Sequence, residues 1–147
     1  SVHLQDFPTL SDGWRDDALA EKWAKLRKLR RVVTGALEIK RADKSIGSSL
    51  QAEAIVYATE DYRSCCDALN MPELFITSEA RFEEGDAPGG AFELEEVAGV
   101  SVVIRPAAGE KCARCWQVLP EVGSVGEHTD ICARCADAVE AHQAAAE

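Results

Sequence analysis

From Lys111 the chain reads Lys-Cys-Ala-Arg-Cys-Trp, and from Asp130 it reads Asp-Ile-Cys-Ala-Arg-Cys-Ala. Two C-x-x-C pairs therefore stand sixteen residues apart, Cys112 with Cys115 and Cys132 with Cys135. Two residues between cysteines let one tight turn aim both sulfurs at one point. Two such turns supply the four thiolates of a tetrahedral structural zinc, and this spacing is a strong signature of one. The pattern predicts one structural Zn²⁺ on Cys112, Cys115, Cys132 and Cys135. With every position filled by protein, such an ion builds structure and leaves no place for water or substrate.

Other uses of the thiols fit less well. Paired disulfides need an oxidising compartment, and no signal-peptide pattern opens the sequence. A redox pair would be one C-x-x-C beside a βαβ unit, not two equivalent ones. His128, between the pairs, is read as a solvated loop residue rather than a replacement ligand. Cys65 and Cys66 are adjacent, so they cannot comfortably share a metal. They are expected to be small buried apolar residues.

At 147 residues the chain can bury one real core with a small satellite. It holds no apolar run long enough to span a bilayer. Its opening, Ser-Val-His-Leu-Gln-Asp-Phe-Pro, does not look like a natural start, so a piece cut from something longer, or a processed product, is expected. The net charge of −10 argues at first against nucleic acid. Its distribution reverses that: residues 22–44 carry nine Lys or Arg and a net of +7, whereas residues 45–110 sum to −10. Local charge, not net charge, governs phosphate contacts.

A lead-in over residues 1–12 is expected to be extended. A long helix then runs from about Trp14 to about Ala42, with Leu19, Trp23, Leu26, Val33 and Leu37 as its apolar stripe. Arg27, Lys28 and Arg31 fall opposite the stripe and face water or a partner. Ser48 with Gln51 forms a capping-box pattern for a short second helix. A strand at about Ala54–Ala58 follows, then a helix from Glu60 to Leu69 that Asn70 and Pro72 stop. Leu74-Phe75-Ile76, continuing through Ala80 and Phe82, reads as a second strand. Residues 83–90 form an acidic, Gly-rich loop. Phe92 and Leu94 begin another short strand, and Val100–Ile104 is a clear one. Residues 136–146 are expected to close the chain as an Ala-rich helix. The expected fold class is α+β: a long N-terminal helix on a small mixed sheet with short helices, then a C-terminal four-cysteine zinc-ribbon or knuckle unit. The expected divisions are residues 1–12, 13–110 and 111–147.

No Gly-rich phosphate loop follows a strand, and no nucleophile elbow is present. The three histidines, His3, His128 and His142, lie in terminal or loop regions. No catalytic site is expected in this portion.

The two cysteine motifs closely resemble the C-terminal zinc element of bacterial-type isoleucyl-tRNA synthetases. Leu37-Glu38, Arg41, Lys44, Ile46-Gly47 and Ser49-Leu50 are similar to that family's segment just after its anticodon-binding helices. Ser1-Val2-His3-Leu4 with Phe7-Pro8 is similar to its lead-in, so the resemblance spans nearly the whole chain. The His-Ile-Gly-His-like and Lys-Met-Ser-Lys-Ser-like motifs of the family's ATP-dependent catalytic domain are absent here. The resemblance implies a cytoplasmic fragment whose partners are isoleucine-specific tRNA and the remainder of the synthetase chain, with no membrane and no DNA. Its role would be to grip the anticodon end of the tRNA in support of aminoacylation by the parent.

The candidate RNA contacts are Arg27, Lys28, Arg31, Lys40, Arg41 and Lys44 on or just past the long helix, and Lys111, Arg114, Trp116 and Arg134 around the knuckles. Trp116 either packs over the zinc site or stacks on an unpaired base. The zinc unit is also similar to the C-terminal finger of formamidopyrimidine-DNA glycosylases. That use needs a basic hairpin, and residues 117–131 contain no Lys or Arg. A zinc-stabilised protein-interaction module without RNA binding is the remaining alternative, and the acidic segment 45–110 suits it.

Overall fold

The computed structural model describes residues 2–145. Its backbone is the long helix α1, Asp17–Ala42. Asp16 caps it by accepting from Leu19 N at 2.9 Å, which satisfies one of the orphan donors of the first turn. Trp14, expected to open this helix, instead ends a separate 3₁₀ turn, Asp12–Trp14, because the cap at Asp16 fixes the start. The helix ends where Asp43 accepts from Ser45 N and Lys44 turns into the left-handed region at φ 62°.

The buried stripe is Leu26, Leu29, Val32, Val33, Ala36 and Leu37. Leu19 and Trp23, expected at its beginning, are 49% and 38% exposed. They keep the helical spacing, but little of the fold lies under the first turns of α1.

The stripe packs on a four-stranded sheet ordered β2-β1-β4-β3. Its strands are β1, Ala52–Ala58; β2, Glu79–Phe82; β3, Phe92–Glu93; and β4, Val100–Pro106. β1 runs antiparallel to β4 with Val56 opposite Val102, and parallel to β2 with Ala54 opposite Ala80. Alternation along β4 turns Val100, Val102 and Ile104 inward, where they join Ala52, Ala54 and Val56 beneath α1. Gly35 of α1 makes the close approach to the sheet: a Cβ there would lie 2.6 Å from the Phe92 ring. The expected capping box at Ser48 and Gln51 is present, but it opens only a 3₁₀ turn, Ser49–Gln51, before β1 begins.

A parallel pair needs a crossover, and residues 59–78 supply it differently from expectation. The helix expected over Glu60–Leu69 is only α2, Glu60–Arg63, followed by a 3₁₀ turn, Ser64–Cys66. Ala68 then takes φ 62°. Arg63 turns back to donate to the carbonyls of Ala58 and Glu83, so its side chain ties the turn to the sheet edge. Tyr62, Cys65, Cys66 and Leu69 all pack against the core, as their spacing suggested.

Asn70 and Pro72 do not stop a helix; they start one. Asn70 accepts from Glu73 N and caps α3, Met71–Phe75, with the proline in its first turn. Leu74-Phe75-Ile76 therefore belongs to a helix and its left-handed C-cap, not to a strand. The second strand begins only at Glu79.

Past β4 the chain forms a small hairpin, β5, Glu110–Lys111, with β6, Val118–Leu119, too short to leave a periodic signal in the sequence. Gly109 is required before it: φ is +111°, and a Cβ would collide with the backbone of Leu119. The last helix, α4, spans Ala133–Ala144, three residues earlier than expected at its start. Val122, Ile131 and Ala136 gather with Cys112, Cys132 and Cys135 in a second, smaller core.

Candidate metal centre and its basic surround

The β5–β6 hairpin holds the first cysteine pair in its turn. Cys112 N donates to Gln117 O at 2.8 Å, and Trp116 N donates back to Cys112 O at 3.0 Å. These bonds curl Cys112–Cys115 so that both thiols point inward. The second pair sits on a helix start: Cys132 occupies the cap position of α4 and Cys135 lies in its first turn. Ala113 N donates to Asp130 O at 2.8 Å and joins the two knuckles.

The four Sγ atoms lie within 4.8 Å of one another, and Cys115 Sγ is 3.7 Å from Cys132 Sγ. Zn–S bonds of about 2.3 Å in a tetrahedron require sulfurs about 3.8 Å apart. The cluster has that size. Cys112, Cys132 and Cys135 are buried and Cys115 is half-buried, so the donors are sheltered.

The surroundings favour a thiolate at Cys112 and oppose one at metal-free Cys132. Cys112 Sγ accepts from Cys115 N at 3.5 Å and from Cys132 N at 3.4 Å. Burial opposes its charge, but these amide donors and that of Arg114 prevail and hold its pKa down at about 6. At Cys132 burial prevails, reinforced by hydrogen bonds with neighbouring thiols, and the metal-free pKa stands at about 12. Arg114 Nη1 lies 3.6 Å from Cys135 Sγ. The neighbouring Cys115 sulfur raises the pKa of the Arg134 guanidinium. The N-terminus of α4 adds positive potential on the same side. Four thiolates around Zn²⁺ carry a net −2, and these donors offset it. The donor set fits a structural zinc held by Cys112, Cys115, Cys132 and Cys135; when bound, the ion cross-links the hairpin to α4 and supplies no reactive position. His128 points elsewhere, with Nε2 3.7 Å from Glu140 Oε1.

Trp116 does not pack over the cluster. It has φ 69°, is 61% exposed, and carries Lys111 Nζ 5.4 Å from its ring centroid. Lys111, Arg114 and Arg134 are exposed. Along α1, Arg27, Lys28 and Arg31 face solvent. Arg27 and Lys28 have no ion-pair partner among the described residues, and Arg31 lies 3.9 Å from Glu96. Lys40 and Arg41 are engaged locally, with Asp43 at 3.3 Å and Glu38 at 2.9 Å, and Lys44 is exposed just past the helix.

Residues that join the zinc unit to the sheet carried no signal in the sequence. Buried Ser78 donates to Leu50 O at 2.5 Å and accepts from Val118 N at 2.7 Å. Gln117 Nε2 donates to Thr77 O at 3.4 Å, and Arg134 Nη1 reaches Glu73 at 3.8 Å.

Residues 109–138 match the family described as the zinc finger found in FPG and IleRS. The chain is 48% identical over 145 residues to the isoleucine–tRNA ligase of Brucella abortus biovar 1, covering 98% of this chain and 15% of that protein. It is 46% identical over 140 residues to the isoleucine–tRNA ligase of Bartonella henselae, covering 95% of this chain and 14% of the relative. With that of Caulobacter vibrioides the identity is 48% over 139 residues, covering 94% and 14%. The similarity lies in the C-terminal region of these ligases. The chain spans about 15% of the length of the curated relatives it matches.

Proposed function

We propose that this chain is the tRNA-gripping portion of an isoleucine–tRNA ligase. It would hold the anticodon end of isoleucine tRNA so that the acceptor end meets a catalytic domain elsewhere in the parent. The remainder of the ligase and the tRNA are its partners, and the cytoplasm is its compartment. The observation that carries this reading is the exposed Trp116, set by a left-handed backbone on a zinc-braced turn with Lys111 beside its ring, while Arg114 and Arg134 of the same two knuckles are also exposed. An exposed indole with a cation beside its ring suits an unstacked base and its phosphate. Arg27, Lys28 and Arg31 supply a second basic surface on α1. No described helix is long and apolar enough to cross a membrane.

The test is a titration of the zinc-loaded chain with isoleucine tRNA against a non-cognate tRNA at two salt concentrations. Preferential, salt-sensitive binding is expected. Replacing Arg27, Lys28 and Arg31 together by Ala should lower the slope of log affinity against log salt by roughly 2–3. Trp116→Ala should weaken binding by about tenfold and leave that slope nearly unchanged. Absence of tRNA binding at low salt would overturn the reading and leave a zinc-stabilised protein-interaction module in its place.

A further inference from the structure

A cleft of about 590 Å³ opens between α1 and α3, outside the zinc site. Trp23, Leu74 and Ile76 supply its apolar wall, and Arg27, Arg30 and Glu73 its polar rim. The volume is that of a small-ligand site. Two of the wall residues are unusually placed. Trp23 stands at 38% exposure on the part of α1 that has little beneath it. Ile76 is 51% exposed at φ 58° and ψ 49°, a left-handed conformation that a β-branched residue rarely adopts. Gly or Asn would hold this C-cap without strain, yet the position carries an apolar side chain turned to the open.

The rim has a definite charge. Arg30 is anchored by its Nε donating to Leu74 O at 2.9 Å, which fixes its guanidinium at the cleft edge. Arg27, one turn before it, has no ion-pair partner among the described residues. Glu73 would repel an anion, but Arg134 of the zinc unit lies 3.8 Å from it and offsets its charge. The cleft therefore lies between the α1 cations and the Arg134 side of the zinc unit.

The geometry points to a docking site for one unpaired nucleotide, its base against Trp23 and Ile76 and its phosphate on Arg27 and Arg30. This rests on the RNA-binding reading above and adds to it a second base pocket, separate from Trp116. Among occupants of this size, a nucleotide brings a flat apolar face and an anion together, which is what the wall and rim offer. Continuity with Lys28 and Arg31 on the same helix favours a polyanion that runs on past the cleft.

The experiment measures isoleucine tRNA binding to the zinc-loaded chain for Trp23→Ala, Trp23→Phe and Ile76→Gly, with thermal midpoints in parallel. Trp23→Ala should weaken binding by about tenfold, and Trp23→Phe should recover most of it because a ring remains. Ile76→Gly should weaken binding while the thermal midpoint holds or rises, since glycine adopts a positive φ without strain. A merely structural residue would lose both together. Fluorine NMR of the chain with 5-fluorotryptophan gives a direct reading: the Trp23 resonance should shift on adding tRNA. If wild type binds tRNA while Trp23→Ala and Ile76→Gly bind equally well and the Trp23 resonance stays put, the cleft assignment fails and the RNA-binding reading stands. If wild type does not bind, both fail. A Trp23 resonance moved by a polyglutamate peptide and not by tRNA would assign the cleft to an acidic polypeptide and overturn the proposal.

Discussion

The α1–sheet domain and the zinc unit hold themselves together by different means. Among the described residues, the first packs seventeen buried side chains into one continuous core, among them Leu29, Val32, Val33 and Val56, each with no exposed surface. The second gathers six, and three of those are the cysteines Cys112, Cys132 and Cys135. Each carries a helix: α1 rests on apolar contact, whereas α4 begins at a metal ligand. In the first region stability is spread over many interchangeable methyl groups. In the second it depends on four sulfur atoms. A small unit lacking a sufficient core needs such a staple.

The sharpest way to break this comparison is to remove the metal. Zinc binding to such units is worth roughly 10–16 kcal/mol. Cys132→Ser, or a strong chelator, should collapse the amide dispersion of residues 111–145 in an NMR spectrum and leave that of residues 17–106 intact. Persistent dispersion in the zinc unit would place its stability in the small apolar cluster.

A core truncation should do the converse at a lower cost. Leu29 is wholly buried, and Leu29→Ala should destabilise the sheet domain by about 2–5 kcal/mol while zinc stoichiometry remains one. Denaturant unfolding and metal analysis on the same sample would test both halves of that statement.

The smallest effect should appear where the regions meet. Ser78 is buried and bonds both Leu50 O and Val118 N. Ser78→Ala leaves the Val118 amide without its partner and should cost about 1–3 kcal/mol. Hydrogen exchange at Val118 should speed up more than at Val56. Equal changes at both sites would mean that the two regions unfold as one unit.

Several elements were legible because their signals are local or strongly periodic. The spacing of the four cysteines needs only two turns, and the four sulfurs converge as that spacing implies. The stripe from Leu26 to Leu37 and the alternation of Val100, Val102 and Ile104 each repeat with their own period. The errors fell where one short segment admits two readings. Asn70-Met71-Pro72-Glu73 contains a cap, a first-turn proline and a first-turn acid, which are helix-start signals. The same residues also look like a helix stop. Glu60–Leu69 has helical spacing throughout, yet Arg63 is drawn to the carbonyls of Ala58 and Glu83 and the helix gives way to a 3₁₀ turn.

The sequence by itself determined the chemistry of the metal centre, the axis of the fold and the concentration of positive charge on α1. These follow from residue types at fixed short separations. Tertiary structure alone decided that Trp116 faces solvent, that Arg134 meets Glu73, that Ser78 seats the hairpin, and that Trp23 and Ile76 share a cleft. Each depends on groups brought together across 40 or more residues, or on which side of a turn the backbone turns. No periodicity within one segment encodes such a meeting; it is fixed only when the apolar faces have packed and the backbone polar groups have found their partners.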